Sequence, residues 1–149
     1  MIDIKLVKKL REETKAGIAD CKQVLEESNG NMDKAKELLK ERGVLKAAKK
    51  GDRETTVGIV ESYIHAGGKI GSLISLGCET DFVARTDEFK HLAREIAMQV
   101  AAMKPKDVEE LTAQPYIRDQ KMTIGDLIKQ TIAKVGENIQ VVQFTRQSF

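Results

Sequence analysis

Apolar side chains recur every three or four positions at the start of this chain, alternate in the middle, return to helical spacing, and alternate again near the end. Ile4, Val7 and Leu10 follow Asp3, a candidate N-cap, and predict a first helix that "TKAG" (Thr14 to Gly17) interrupts. Ile18, Cys21, Val24 and Leu25 predict a second helix. After the break "SNGN" (Ser28 to Asn31), Asn31 is placed to cap a third helix with inner face Ala35, Leu38 and Leu39, and Gly43 marks its end. Three helices from so short a stretch make a compact but marginal bundle.

From Thr56 the period shortens to two. Val57 to Ile64 and Lys69 to Cys78 read as strands joined by a turn at Gly67 and Gly68. A lone hairpin is unstable in water, so the sheet needs a third strand. "NIQVVQFTRQ", Asn138 to Gln147, supplies it. Between these strands, Thr86 caps a long helix with the stripe Phe89, Leu92, Ala93, Ile96, Val100 and Met103, and Pro105 lies just beyond. A polar stretch follows, with one helical turn at Val108 to Leu111 and an extended piece around Pro115. Thr123 and Asp126 then form a capping-box pattern ahead of Ile124, Leu127, Ile128, Ile132 and Val135, and Gly136 ends that helix. The predicted fold class is α+β: a three-helix domain with a basic linker over residues 1–50, then an α+β core over 51–149. In the core an antiparallel three-stranded sheet carries helices packed on one face.

Composition narrows the function. The chain has 149 residues, of which 41% are hydrophobic and 32% charged, as in a globular protein. Its 25 basic and 23 acidic residues are evenly mixed, which offers no general polyanion-binding surface and points to a protein partner rather than direct nucleic-acid contact. Lys46, Lys49 and Lys50 read as a solvated linker face. No window approaches the roughly 18 to 20 apolar residues that cross a bilayer, and "MIDIKLVKKLREETK" has the character of neither a secretory signal nor a transit peptide. No membrane role and a cytoplasmic location are expected. Cys21 and Cys78, far apart and without a CxxC pair, read as small buried hydrophobes rather than a metal or disulfide site. No phosphate-cradling loop, nucleophile elbow or zinc-protease helix is present. The expectation is a binding protein with no catalytic residue, no metal and no cofactor of its own.

"CETDFVART", Cys78 to Thr86, is the exception to this blandness. It sets Asp81 beside Phe82, one of only four Phe, between a strand and a helix. In one reading Phe82 packs under the corner while Thr80 or Asp81 caps a turn, which is the more ordinary arrangement. In the other, a rigid corner presents Phe82 outward as an anchor, with Asp81 fixing its approach. Periodicity does not choose between them.

The stretch "LVKKLREETKAGIADCKQVLEESNGNMDKAKELLKERG" with "KAAKK", together with "CETDFVART" and "IAKVGENI" (Ile132 to Ile139), resembles the bacterial elongation factor Ts family over nearly the whole chain. The resemblance implies a translation elongation factor: a guanine-nucleotide exchange factor that binds the GDP form of elongation factor Tu, displaces magnesium and promotes GDP release. It implies that the N-terminal helices form a ubiquitin-associated-like domain that docks on the GTPase. Thr80, Asp81, Phe82 and Val83 would be the partner-binding, magnesium-dislocating element, and Ile18, Ala19, Val135 and Gly136 secondary partner contacts. Among one-core members it implies a homodimer joined through the sheet. This chain departs from the family pattern at Lys15, where a Gly is usual, and at Ala19, where a larger apolar residue is usual. It also lacks a helical stretch between "AAMKP" and "LTAQPYIRD". The alternative is a non-exchanging adaptor or ribosome-associated binding module that retains only the docking domain.

Overall fold

The structure, a computed structural model, describes residues 1–149 and every side chain except that of Val44. Met1–Lys46 form one compact unit and Ala47–Phe149 a second. In the first unit, α1 (Ile4–Thr14) is capped by Asp3, whose carboxylate accepts from the Lys5 N–H at 2.9 Å. Lys15 closes that helix in a left-handed conformation, φ 58. Next come α2 (Ile18–Glu27) and α3 (Met32–Lys50), whose residues from Ala47 on belong to the second unit; Asn31 caps α3 by accepting from the Lys34 N–H at 3.0 Å. Val7, Leu10, Cys21, Val24, Leu25 and Ala35 form the core of this unit.

Three expectations change here. Ile4 and Ile18 are exposed, because each lies in the first turn of its helix, outside the inner face; Leu6 packs at the edge of the core instead. Gly43 does not end α3. It keeps helical backbone, and the strong helix formers Lys46 to Lys50 carry the helix on at a cost of about 1 kcal/mol for the glycine.

In the second unit, β1 (Val57–Ile64) pairs antiparallel with β2 (Ile70–Cys78), from Val57↔Cys78 to Ile64↔Gly71. Gly67 and Gly68 turn the hairpin at φ 93 and φ 71, a region L side chains avoid. A single helical turn, α4 (Asp81–Ala84), and the long α5 (Asp87–Met103) follow. Beyond them lie α6 (Val108–Ala113), β3 (Pro115–Tyr116), β4 (Asp119–Thr123), α7 (Ile124–Val135) and β5 (Gln140–Ser148). The strand order is β1-β2-β5, all antiparallel, with a bulge in the β2–β5 ladder at Ser75/Leu76. The expected Thr123–Asp126 capping box is present, with both reciprocal hydrogen bonds.

Helix α5 organises this unit. It packs against β1 and β2 on one side and α7 on another. Phe89, Leu92, Ile96 and Val100 are buried with Ile74 and Leu76 of the central strand, each such side chain contributing roughly 1.5–3 kcal/mol. Two side chains tie sheet to helix: the Ser72 hydroxyl donates to the Ala97 carbonyl at 2.6 Å, and Arg146 Nε donates to the Ala101 carbonyl at 2.9 Å. The second bond satisfies a last-turn carbonyl that has no intrahelical partner.

The buried surface of α5 is wider than its apolar stripe predicts, since Glu95 and Gln99 are buried too, while Met103 is exposed. Gln99 donates to the Pro115 carbonyl and accepts from the Ile117 N–H, both at 3.1 Å. Glu95 accepts from the Tyr116 hydroxyl and, at 2.6 Å, from Arg118 Nε. These bonds hold the small β3–β4 sheet, where the sequence suggested only an extended piece. Burial, reinforced by the Glu95 carboxylate, pushes the Tyr116 phenol well above its ordinary range.

Gly58 faces Gly77 across the hairpin, close to where β2 leaves the sheet. A Cβ on Gly58 would be driven into the backbone carbonyl of Leu76, which has no freedom to yield. Gly58→Ala is therefore expected to cost about 1–3 kcal/mol in urea unfolding, whereas Ser62→Ala, exposed on the same strand, stays within about 0.5 kcal/mol of wild type. Equal midpoints for the two variants would contradict this register.

Candidate functional site

Beyond Cys78 the chain leaves the sheet and turns into α4. Thr80 is extended (φ −133, ψ 152), and its hydroxyl oxygen caps the turn by accepting from the Val83 N–H at 3.3 Å. Successive helical residues are about 100° apart, so one turn has an inner and an outer side. Val83 and Ala84 take the inner side and are buried at 3% and 4%; Asp81 and Phe82 are left outside. Phe82 is 82% exposed, against the inward packing that the residues alone favour. The inner side of so short a turn is filled by Val83 and Ala84. The Thr86 hydroxyl then donates to the Val83 carbonyl at 2.7 Å and accepts from the Phe89 N–H at 3.3 Å, which starts α5. Threonine caps bracket the exposed pair on both sides.

A second corner lies against the first. Helix α7 ends at Val135, with Gly136 as its left-handed cap at φ 79. One oxygen of the next residue, Glu137, accepts from the N–H groups of Glu79 at 3.2 Å and Thr80 at 2.9 Å; the other accepts from the Thr80 hydroxyl at 2.7 Å. The Glu79 carboxylate returns the contact, accepting from the Asn138 N–H at 2.8 Å. Arg53 lies 3.7 Å from Glu79, and the Asn138 side-chain amide donates to the carbonyls of Gly51 at 3.3 Å and Arg53 at 2.7 Å. At partly exposed positions such bonds stabilise by roughly 0.5–1.5 kcal/mol each, and here those of Glu137, the Asn138 N–H and Arg53 converge on two consecutive residues, Glu79 and Thr80. The Cys78 thiol donates to the Thr80 carbonyl at 3.2 Å, and burial pushes it up, which keeps it a thiol.

The structure thus brings Thr80, Asp81, Phe82 and Val83 onto one corner and Val135 and Gly136 onto the adjoining one. Thr80, Asp81 and Phe82 face solvent, Val83 is the buried footing, and Val135 and Gly136 are half-buried. Ile18 and Ala19 are both exposed at the start of α2, in the first unit. The residues that join the two corners, Glu79, Glu137 and Asn138, were not singled out from the sequence. Their signal was the antiparallel pairing itself: Gly77 faces Gln140, so residues just after β2 must meet residues just before β5. Among the described residues, no group of three or more His, Cys, Asp or Glu is placed to hold a metal ion. Among the described residues, no helix is long and apolar enough to cross a membrane.

Comparison with known proteins places this geometry in a family. A family profile described as "Elongation factor TS" matches residues 79–148, a span that starts at the first corner and includes the second. The chain is 44% identical to Elongation factor Ts of Rippkaea orientalis, with 97% of this chain and 77% of that protein covered. It is 42% identical to Elongation factor Ts of Carboxydothermus hydrogenoformans, covering 98% and 88%, and 44% identical to the chloroplastic Elongation factor Ts of Guillardia theta, covering 97% and 87%. These alignments run over 191 positions, more than the 149 residues here, so the relatives carry residues that this chain lacks. The chain belongs to the elongation factor Ts family of translation elongation factors.

Proposed function

We propose that this chain is a guanine-nucleotide exchange factor that binds the GDP form of elongation factor Tu in the cytoplasm, dislodges magnesium and promotes GDP release, acting by binding rather than by chemistry of its own. The observation that carries this reading is the exposure of Phe82, at 82%, on a corner whose footing is buried and hydrogen-bonded. A large apolar side chain held rigidly in water is suited to a partner's pocket, where its burial contributes roughly 1.5–3 kcal/mol. Thr80 and Asp81 flank it as polar contacts, Val83 anchors it, and Val135 and Gly136 lie on the adjoining corner.

The mechanism is a coupling of two binding equilibria. Magnesium and the phosphate loop hold the diphosphate in a GTPase of this kind, so a wedge that displaces loop and metal ligands weakens nucleotide binding. By reciprocity, nucleotide weakens the grip of the exchange factor by the same factor, and incoming GTP completes the cycle. The three helices of the first unit, read as a ubiquitin-associated-like domain, supply a separate docking surface through the exposed Ile18 and Ala19.

A second copy of this chain is proposed to cover the open face of the three-stranded sheet. Val60, Ile64, Leu73 and Val142 are exposed there, a concentration of apolar surface that a monomer rarely leaves in water. Light scattering is expected to give the mass of two chains, and Leu73→Lys the 16.6 kDa of one. A wild-type mass of one chain overturns the dimer.

Release of fluorescent GDP from elongation factor Tu tests the exchange reading. Wild-type protein is expected to accelerate release, and Phe82→Ala to lose at least about tenfold of that acceleration with an unchanged unfolding midpoint, because an exposed side chain adds little to stability. Binding without acceleration of release by the wild type would favour a non-exchanging adaptor.

A further inference from the structure

Glu137 occupies a place that neither exposure nor apolar packing explains. It follows the cap of α7 directly, yet both its carboxylate oxygens are spent on the other corner, on the Glu79 N–H, the Thr80 N–H and the Thr80 hydroxyl. Thr80 is the residue whose hydroxyl oxygen caps α4, the turn that carries Phe82. The Thr80 hydroxyl therefore does two things at once, giving its proton to Glu137 and its lone pair to the Val83 N–H. Glu137 orients that hydroxyl and so orients the cap.

We propose that Glu137 is a positioning residue for nucleotide exchange: it clamps the N-terminus of the Phe82 turn to the end of α7 and so aims Phe82 at the partner. This rests on the exchange reading above. The two corners then move as one body, and Val135 and Gly136 keep a constant offset from Phe82. A purely structural role would make loss of Glu137 lower the unfolding midpoint while leaving the exchange rate of the folded protein unchanged. A positioning role makes it lower the maximal exchange rate through Phe82.

The test is a double-mutant cycle on the full chain, read by fluorescent GDP release from elongation factor Tu at saturating factor, with unfolding midpoints alongside. Glu137→Ala is expected to slow catalysed release by about tenfold, equivalent to about 1.4 kcal/mol, while the half-saturating concentration changes by less than about threefold. In the Phe82→Ala background the same change is expected to cost nothing more, because the clamp has nothing left to aim. Glu137→Gln keeps an acceptor for the two N–H groups but turns a donor toward the Thr80 hydroxyl, so a smaller loss of about threefold is expected. If Glu137→Ala does not fold, the Gln variant carries the cycle, and its loss must vanish with Phe82→Ala. A wild type that leaves GDP release at its spontaneous rate defeats the exchange reading itself, and full activity of Phe82→Ala defeats the wedge role of Phe82 and with it the positioning role. An impaired Phe82→Ala combined with an independent, multiplicative loss at Glu137, or with no loss there, defeats the positioning role alone.

Discussion

The carboxylate of Glu137 gripping the backbone of Glu79 and Thr80 is the contact on which the site depends. A corner between a strand and a helix has few backbone partners of its own, and a four-residue turn such as α4 makes too few internal bonds to be stable alone. Here the deficit is met from outside the turn. Glu137 takes the two N–H groups that precede it, Thr80 and Thr86 cap its two ends, and Val83 and Ala84 sink into the core beneath. Ordering those residues leaves the Asp81–Phe82 edge free of any structural duty, and an aromatic ring is held in water without collapsing inward.

The same antiparallel sheet explains why distant parts of the chain meet there. Because β2 and β5 run in opposite directions, the exit of one and the entrance of the other share an end of the sheet. Helix α5 packs along the sheet by apolar burial, and the Ser72 and Arg146 bonds to its carbonyls fasten its later turns to the opposite end of the sheet. The other face of the sheet carries exposed valine, isoleucine and leucine side chains. One sheet therefore serves two purposes, a packed side that mounts the corner and an open side free to meet another surface.

Much of this is legible in the chain because local rules dominate it. Asp3, Asn31, Thr86 and the Thr123–Asp126 box mark helix starts by side-chain hydrogen bonds that need no tertiary information, and Gly67-Gly68 marks the hairpin by backbone conformation. Where tertiary packing decides, the reading fails in understandable ways. Gly43 punctuates a helix only if nothing beyond it favours helix, and Ala47 does. Glu95 and Gln99 look like a solvent face until the β3–β4 hairpin covers them. Phe82 is the sharpest case: hydrophobicity argued inward, but the small inner side of α4 was already taken by Val83 and Ala84. Glu137 was visible only as part of a resembling block, since a bond between residues 58 positions apart leaves no local spacing.

The most direct measurement of the braced corner is residue-by-residue amide hydrogen exchange by NMR on the free protein. If Glu137 holds the turn, the Glu79 and Thr80 amides exchange about a hundredfold or more slower than unstructured peptide, despite the solvent exposure of Thr80, and Glu137→Ala removes that protection. Exchange of those two amides in the wild type at the rate of an unstructured chain would contradict the account, because Phe82 would then sit on a loose loop rather than a fixed mount.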